Sequence, residues 1–102
     1  MRIVLFFDLP VKTKKQRRDY TRFRNYLLND GFDMMQFSVY CRLCNGHESM
    51  ERQLENVKRN LPPKGSIRAL PVTEKQYERM RLLLGDKTIN EEKVTINQLT
   101  LF

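Results

Sequence analysis

The amino-terminal segment, residues 2–8, is a continuous run of β-branched, aliphatic and aromatic side chains that ends in an aspartate. Such a run is typical of a β-strand whose two faces are both covered. We therefore expect this strand to lie in the middle of a sheet. The Leu9-Pro10 pair ends it, because proline lacks the amide hydrogen that a strand ladder needs.

Residues 14–29 carry the period of an amphipathic helix. Tyr20, Phe23 and Leu27 follow one another at spacings of three and four residues, so that a single face points at the sheet. Thr13 is the expected cap at the start of this helix, and Gly31 is its expected stop.

The middle of the chain predicts further strands and a second helix. Residues 34–44 are rich in β-formers and lack a helical stripe, which indicates one long strand or two strands joined at a kink near Ser38. Asn45 and Glu48 then resemble a capping box, and Pro62-Pro63 ends the helix that follows. The apolar face of that helix comprises Met50, Leu54, Val57 and Leu61.

Residues 65–72 are predicted to form a strand, with Pro71 placing its far end at an edge or a bulge. Thr73 and Gln76 offer a capping box for a single helical turn, and residues 80–84 are predicted to form a short strand. This order of elements predicts an α+β fold, a ferredoxin-like βαββαβ sandwich whose helices cover one face of the sheet.

The composition changes after residue 85. Residues 87–93 are polar and charged, whereas residues 94–102 are apolar in character to the last residue. A tethered apolar segment can add a strand to an exposed sheet edge, its own or a partner's. We therefore divide the chain into a ferredoxin-like domain, residues 1–85, and a linker with an extra C-terminal strand, residues 86–102. A homodimer is expected, because a small sheet with bare edges gains from a two-fold contact.

Length and charge narrow the class of protein. The 102 residues fit one small domain, and 19 Lys and Arg against 12 Asp and Glu give a net charge of +7. Such an excess favours a polyanionic partner, DNA or RNA.

The longest apolar run is far below the roughly 20 residues of a membrane helix, and the two cysteines provide no disulfide framework. We expect a cytoplasmic protein with no membrane contact.

The strongest basic signal lies in the first helix. Seven of the residues at positions 12–24 are basic, and Asp19 is the only acidic residue in this segment. At 100° per residue, four of them lie opposite the apolar stripe and Arg17 flanks it. The predicted nucleic-acid-binding residues, which we call the basic ridge, are Lys14, Lys15, Arg17, Arg18 and Arg22. The alternative is a merely solvated helix face.

Asp8 is the other candidate for chemistry. A carboxylate at the end of a buried strand is costly unless it is paired, hydrogen-bonded or bound to a metal. Magnesium often takes only one or two protein oxygens, and two-fold symmetry would supply a second Asp8. A metal held there would activate water for phosphodiester hydrolysis. The alternative is that Asp8 only satisfies backbone donors in the turn before Pro10.

Two further groups are assigned no chemistry. Cys41, Cys44 and His47 have the spacing of part of a zinc site, but residues 41 and 44 of a strand face opposite sides and no fourth ligand follows. Phe37 and Tyr40 lack the signature of RNA-binding sheets, and we assign them to core or dimer packing.

The sequence resembles the small CRISPR-associated adaptation protein family, also called the CRISPR-associated endoribonucleases, which partner the adaptation integrase. The resemblance covers nearly the whole chain. It rests on residues 3–10, the basic helix, Gln36-Phe-Ser-Val39, the strand at residues 66–70, and residues 73–77.

The resemblance implies a homodimer of ferredoxin-like subunits, each lending its first-strand aspartate to a shared divalent metal. It also implies a metal-dependent phosphodiesterase that acts on RNA or DNA, and a dimer that bridges two integrase dimers and supports the new DNA fragment. By position, Asp8 corresponds to the metal ligand, Arg17 and Arg18 to early basic helix residues, and Ser38 to the serine of the second strand region. Many members have Tyr before the aspartate, whereas this chain has Phe7.

Three functions follow as hypotheses. In the first, Mg²⁺ between paired Asp8 carboxylates activates water, while Arg17, Arg18 and neighbouring lysines hold the strand to be cut. In the second, the protein is a non-catalytic adaptor that grips DNA with the basic ridge and docks the integrase through its tail. The third is a stand-alone RNA-cleaving toxin of similar fold.

Overall fold

The structure is a computed structural model that describes residues 1–85. Its elements in chain order are β1 (Arg2–Asp8), α1 (Lys14–Asn29), β2 (Asp33–Gln36), β3 (Val39–Leu43), α2 (His47–Lys58), β4 (Ser66–Val72) and α3 (Glu74–Glu78). Over this range the chain forms no helix long and apolar enough to span a membrane. The predicted linker and tail strand, residues 86–102, lie outside the described residues.

The four strands form one sheet in the order β2-β3-β1-β4, and every neighbouring pair is antiparallel. This order, together with the β1-α1-β2 and β3-α2-β4 connections, is the ferredoxin-like α+β arrangement that the sequence predicted. β1 pairs with β3 on one edge and with β4 on the other. The prediction of a central first strand is therefore confirmed.

The core lies between the sheet and the two longer helices. Ile3, Leu5 and Phe7 point into it from β1, and Phe23 and Leu27 point into it from α1. Phe7 stacks on the fully buried ring of Tyr40 and contacts Phe23 edge-on. Side chains alternate between the two faces of a strand, so these core residues occupy one face of β1 and the residues between them point to the other face of the sheet.

The first helix has the predicted bounds and cap. The Thr13 hydroxyl accepts a hydrogen bond from the Gln16 amide at 3.1 Å, and the Gln16 side-chain oxygen accepts one from the Thr13 amide at 3.1 Å. Gly31 follows the helix with a φ of +94°, a conformation that favours glycine. The hydrophobic period and the cap therefore fix both ends of α1.

Two strands, rather than one, form the predicted region around Ser38. β2 and β3 make a hairpin, and Ser38 in its turn has a φ of +63°. Among residues 1–85 it is the one non-glycine residue with a positive φ. Its carbonyl accepts a hydrogen bond from the Phe7 amide at 3.1 Å, which ties the turn to β1.

Three local predictions are wrong. α2 ends at Lys58, so Leu61 lies beyond the helix and is 47% exposed rather than part of its apolar face. Gly46, with a φ of +98°, is the N-cap of α2 and no side chain caps this end, so Asn45 lies outside the helix. Residues 80–84 do not form a strand. A strand needs a ladder partner, and Leu83 and Leu84 are almost fully exposed rather than packed beside another strand.

The predictions that β1 is covered on both faces and that helices cover only one face of the sheet are also wrong. α3 packs on the face away from the main core, where Tyr77 contacts Val4 and Cys41. Because α3 is a single short turn, it covers only part of that face. Phe6 remains 40% exposed and Asp8 is exposed. We call this partly covered side the open face.

Gly65 provides a test of how tightly β4 approaches the end of β1. A Cβ at Gly65 would lie 2.5 Å from a Leu9 methyl carbon and 2.9 Å from the Asp8 carbonyl, whereas a Cβ at Gly46 would meet nothing within 4 Å. Both glycines have a positive φ, so alanine costs about 1–3 kcal/mol of backbone strain at either position. Overpacking adds about 1–3 kcal/mol at Gly65 alone. Urea denaturation should therefore show Gly65→Ala to be the less stable variant. Equal stabilities would contradict this close approach.

Candidate functional site

Asp8 lies at the end of β1, directly across from Ser66 of β4. By alternation along β1 its side chain is on the open face, and it is exposed. Within residues 1–85 its carboxylate takes part in no ion pair or hydrogen bond. The premise of a buried charge is therefore wrong for the single protomer, as is the alternative in which Asp8 caps the turn before Pro10. No group of residues 1–85 therefore competes with a ligand for this carboxylate.

A shallow depression of about 300 Å³ surrounds Asp8. It is formed where β1 ends, the β2-β3 hairpin turns and β4 begins. Its lining residues are Phe6, Phe7, Asp8, Phe37, Ser38, Val39, Ser66 and Arg68. Two residues singled out in the sequence, Asp8 and Ser38, are thus brought to one place.

Arg68 is a further functional candidate in this depression, and the sequence alone does not show which face it occupies. It pairs with Phe6 across the β1-β4 ladder, two pairs from Asp8 and Ser66 and on the same face. Its side chain is exposed and forms no ion pair with Asp8 in the described part of the chain. The depression therefore offers an anionic and a cationic group side by side. The sequence did contain one signal: Arg68 lies two residues after Ser66, and residues two apart on a strand share a face.

The basic ridge is divided between two surfaces. Four of its residues line one groove along α1: Lys14, Arg17, Arg18 and Arg22. Lys15 lines a separate pocket of about 250 Å³ with Pro10, Tyr20 and Lys64. Ridge side chains are all exposed, as expected for a surface that meets phosphates.

Part of the hydrogen-bonding capacity of Arg17 is used within its own chain. Its guanidinium donates hydrogen bonds to the carbonyls of Val11 and Lys12 at 3.2 and 3.0 Å. These contacts tie α1 to the loop that follows Asp8. Arg18 and Arg22 form no side-chain hydrogen bond or ion pair within residues 1–85, and both side chains are exposed to solvent.

The groove and Asp8 lie on opposite outer surfaces of the protomer. α1 packs on the core side of the sheet through Phe23 and Leu27, so its basic residues face outward from the helix layer. Asp8 faces outward from the sheet. The expected arrangement, in which Arg17 and Arg18 hold the phosphodiester that lies at Asp8, is therefore not formed within one protomer.

Arg42 does not extend the basic surface. It turns inward, where its guanidinium donates a 2.6 Å hydrogen bond to the side-chain oxygen of Gln53 on α2. Gln53 is a buried polar residue on the face of α2 that packs against the sheet. The sequence analysis missed Gln53, although its place next to the Met50 and Leu54 stripe was a signal. Arg79 and Arg81 are both exposed.

The two cysteines do not form a metal site. Cys41 packs on the open face with Val4, whereas Cys44 is in the main core, so the prediction that they face opposite sides is confirmed. Burial raises the pKa of the Cys41 thiol, although Arg2 opposes the shift. A protonated thiol is a poor metal ligand. No group of three or more metal-binding side chains exists within residues 1–85.

Comparison with known proteins identifies the family. Residues 1–80 match the family model for the CRISPR associated protein Cas2. The chain belongs to the Cas2 family. A CRISPR-associated endoribonuclease Cas2 of Acidovorax ebreus (strain TPSY) is 51% identical over 102 residues, which are 100% of both chains. A relative of the same name from Campylobacter jejuni is 49% identical, and the alignment covers 100% of this chain and 71% of the relative.

A solved Cas2 structure has the same fold. The crystal structure of Streptococcus pyogenes Cas2 at pH 6.5 aligns with a TM-score of 0.61 and 17% sequence identity. The alignment covers 81% of this chain and 99% of that one. At this identity the likeness establishes the ferredoxin-like fold of this Cas2-family chain and no residue roles.

Phe7, where the resemblance gave tyrosine in many members, is a core residue. Its ring lies against Tyr40 and Phe23, on the side of β1 that faces the helices. Asp8 faces the other side. The aromatic ring at this position therefore has a packing role in this Cas2-family chain.

The ridge residues that line the groove can be tested through the salt dependence of DNA binding. Replacing Arg18 and Arg22 together by alanine should flatten the slope of log Kd against log salt for duplex DNA by about 0.9 per lost phosphate contact. The matched control removes Arg52 and Arg59 together, because both lie on the outer face of α2 among Glu48, Glu51 and Glu55. Fluorescence anisotropy over a salt series measures both. Equal slope changes in the two variants would mean that the ridge contributes only through the net charge of the protein and not as a specific contact surface.

Proposed function

We propose that this protein is the Cas2-type subunit of a CRISPR adaptation system and that its homodimer is a divalent-metal-dependent endonuclease acting on RNA or DNA. The observation that carries the proposal is the state of Asp8. Its carboxylate is exposed on the open face and has no partner within residues 1–85. The endoribonuclease names of the relatives point to the same class of reaction.

The open face supports the homodimer. Phe6, Leu43 and Leu70 are 40%, 59% and 51% exposed on adjacent strands, and the ladder registers put all three on this face. Apolar side chains that share a face favour a protein contact over water. A second copy of the chain would cover them, and a two-fold axis there would bring the two Asp8 carboxylates toward each other.

The donor set fits magnesium in a dimer. One protomer supplies one carboxylate, and two protomers supply two, which is the number of protein ligands that Mg²⁺ commonly accepts beside waters and phosphate oxygens. When bound, the ion would neutralise charge on the phosphodiester and lower the pKa of a bound water. We assign Asp8 as ligand and Ser38 as a supporting residue of the hairpin that shapes the site.

The protein's own contribution is the position of Asp8. The Phe7 amide donates to the Ser38 carbonyl on one side, and Asp8 pairs with Ser66 on the other, so the backbone of the site is held at both edges. Gly65 lets β4 approach the Asp8 carbonyl closely. A carboxylate held on a paired backbone loses little freedom when it binds a cation.

Asp8→Asn tests the nuclease. The variant keeps the shape of the side chain and removes its charge, so cleavage of RNA or DNA should fall by about 100-fold or more, because a catalytic metal supplies several kcal/mol. Cleavage that survives the substitution, or that persists in excess chelator, would refute the metal-dependent mechanism.

The same variant tests the shared ion by a second measurement. Sedimentation should show a wild-type dimer that tightens about tenfold when Mg²⁺ is tenfold above its dissociation constant. Without metal, Asp8→Asn should dimerise at least as well as the wild type, because two facing carboxylates repel each other. It should not respond to Mg²⁺. A response equal to that of the wild type would place the metal elsewhere.

A second function, a DNA-binding adaptor that bridges the integrase, is favoured by one observation. The α1 groove lies on the surface opposite to Asp8, so a duplex on the groove need not touch the carboxylate. We propose that the dimer also supports the new DNA fragment in this way. The two functions are compatible, since they use different surfaces.

Fragment acquisition in cells separates the two functions. Asp8→Ala should leave acquisition intact if the adaptor role dominates, whereas charge reversal at Lys14, Arg18 and Arg22 should abolish it. Reversal of Arg52 and Arg59 on α2 is the control. Acquisition that survives reversal of the groove residues would exclude the adaptor function.

A further inference from the structure

Phe37 is an exposed aromatic ring that neither the core nor the function above uses. Its side chain is 81% exposed, although it sits in the hairpin turn beside Asp8. Tyr40, which the sequence analysis grouped with it, is fully buried. The packing role predicted for both residues is therefore confirmed for Tyr40, and Phe37 is not part of the protomer core.

The ring of Phe37 has an aromatic neighbour on α1. It stacks on Tyr20 with centroids 6.4 Å apart and an interplanar angle of 22°. Tyr20 in turn contacts the buried ring of Phe7 edge-on at 6.1 Å. The turn that carries Phe37 is fixed by the Ser38 carbonyl, which accepts from the Phe7 amide. Most of the Phe37 ring thus remains open to a ligand.

Arg68 supplies the complementary charge in the same depression. It is exposed, it lies two pairs from Asp8 along the β1-β4 ladder and on the same face, and it has no ion pair in the described range. An aromatic face and a guanidinium on either side of a carboxylate suit one nucleotide, whose base stacks and whose phosphate pairs with arginine. In the single protomer the depression is open and shallow, and it lies at the Asp8 end of β1, whereas Leu43 lies opposite Arg2 at the other end of the face that a second copy would cover.

We propose that Phe37 and Arg68 form a nucleotide subsite beside Asp8, with an unpaired base stacked on the Phe37 ring and its phosphate on the Arg68 guanidinium. This inference rests on the proposed function, because it places the nucleotide next to the group that would bind the metal. Both residues are binding and positioning residues. A base in a duplex cannot stack on the ring, since its faces are covered by neighbouring pairs.

Binding without cleavage tests the subsite independently of the nuclease. With a short fluorescent oligouridylate and excess chelator, Phe37→Ala should weaken binding by about 5- to 150-fold, the range found when stacked aromatics are removed. Phe37→Trp should retain binding. Phe37→Leu keeps an apolar side chain and loses the π face, so it should bind as weakly as Phe37→Ala. Leucine that binds like phenylalanine would overturn the stacking role.

Arg68 is tested by its effect on salt dependence. Arg68→Ala should lower the slope for the single strand by about 0.7, the loss of one contact, whereas Arg52→Ala on the outer face of α2 should not. Arg68→Lys should restore the slope, because a lysine also neutralises a phosphate. An unchanged slope for Arg68→Ala would remove this residue from the subsite.

Crosslinking and dimer state distinguish the subsite from dimer packing. Ultraviolet crosslinking of the oligouridylate to wild-type protein in chelator should mark the peptide that contains Phe37. Sedimentation should give the same dimer for wild type and Phe37→Ala, whereas Leu43→Ala, on the open face away from the depression, should weaken the dimer. A Phe37→Ala variant that loses binding only by becoming monomeric, or a crosslink elsewhere, would overturn the subsite. Cleavage surviving Asp8→Asn would instead refute the metal-dependent mechanism and would leave the subsite standing.

Discussion

The alternation of side chains along β1 is the constraint on which both surfaces of the molecule depend. Because β1 is hydrogen-bonded at both edges, its register cannot shift by one residue without exchanging the two faces. Ile3, Leu5 and Phe7 fill the core, so Phe6 and Asp8 must point the other way. The same packing that builds the core thus puts the carboxylate outside.

A small contact on the open face decides how much of it remains available. The Arg2 Nε–H is shared between the two carboxylate oxygens of Glu74, at 3.0 and 3.3 Å, and the guanidinium carbon lies 4.0 Å from the centroid of the Tyr77 ring. These contacts help hold α3 against Val4, at the far end of β1 from Asp8. A half-buried ion pair backed by a cation–π contact stabilises more than a fully exposed pair does. The Asp8 end is left open as a result.

Local signals in the sequence were sufficient for most of the fold. The capping box at Thr13 and the apolar run of β1 involve neighbours in the chain, and the structure has both. Local signals failed where a tertiary partner decides the outcome. Residues 80–84 have no ladder within the described range, and α3 lies on the open face, where Tyr77 is buried against Val4 and Cys41 and Arg2 pairs with Glu74.

The candidate site shows the same division. Asp8 could be singled out because a charge at the end of an apolar run is unusual, and α1 could be divided into faces by its period. The neighbours of Asp8 come from the hairpin and from β4, far apart in sequence, so Arg68 could be placed only once the ladder register was known. Phe37 depended on a turn conformation, the positive φ of Ser38, that residue types do not specify.

The separation of the α1 groove from Asp8 is bridged at one end of the molecule. β1 ends there, α1 begins there, and the segment before β4 closes it, which brings Lys15 and Lys64 into one pocket with Tyr20. Tyr20 also stacks on Phe37 beside Asp8. Lys15, Lys64 and the ring pair of Tyr20 and Phe37 therefore lie at the end of the protomer where the groove and the proposed nucleotide subsite come nearest in the fold. Since backbone charge is neutralised contact by contact, these two lysines are the cations that a strand spanning both proposed surfaces would meet.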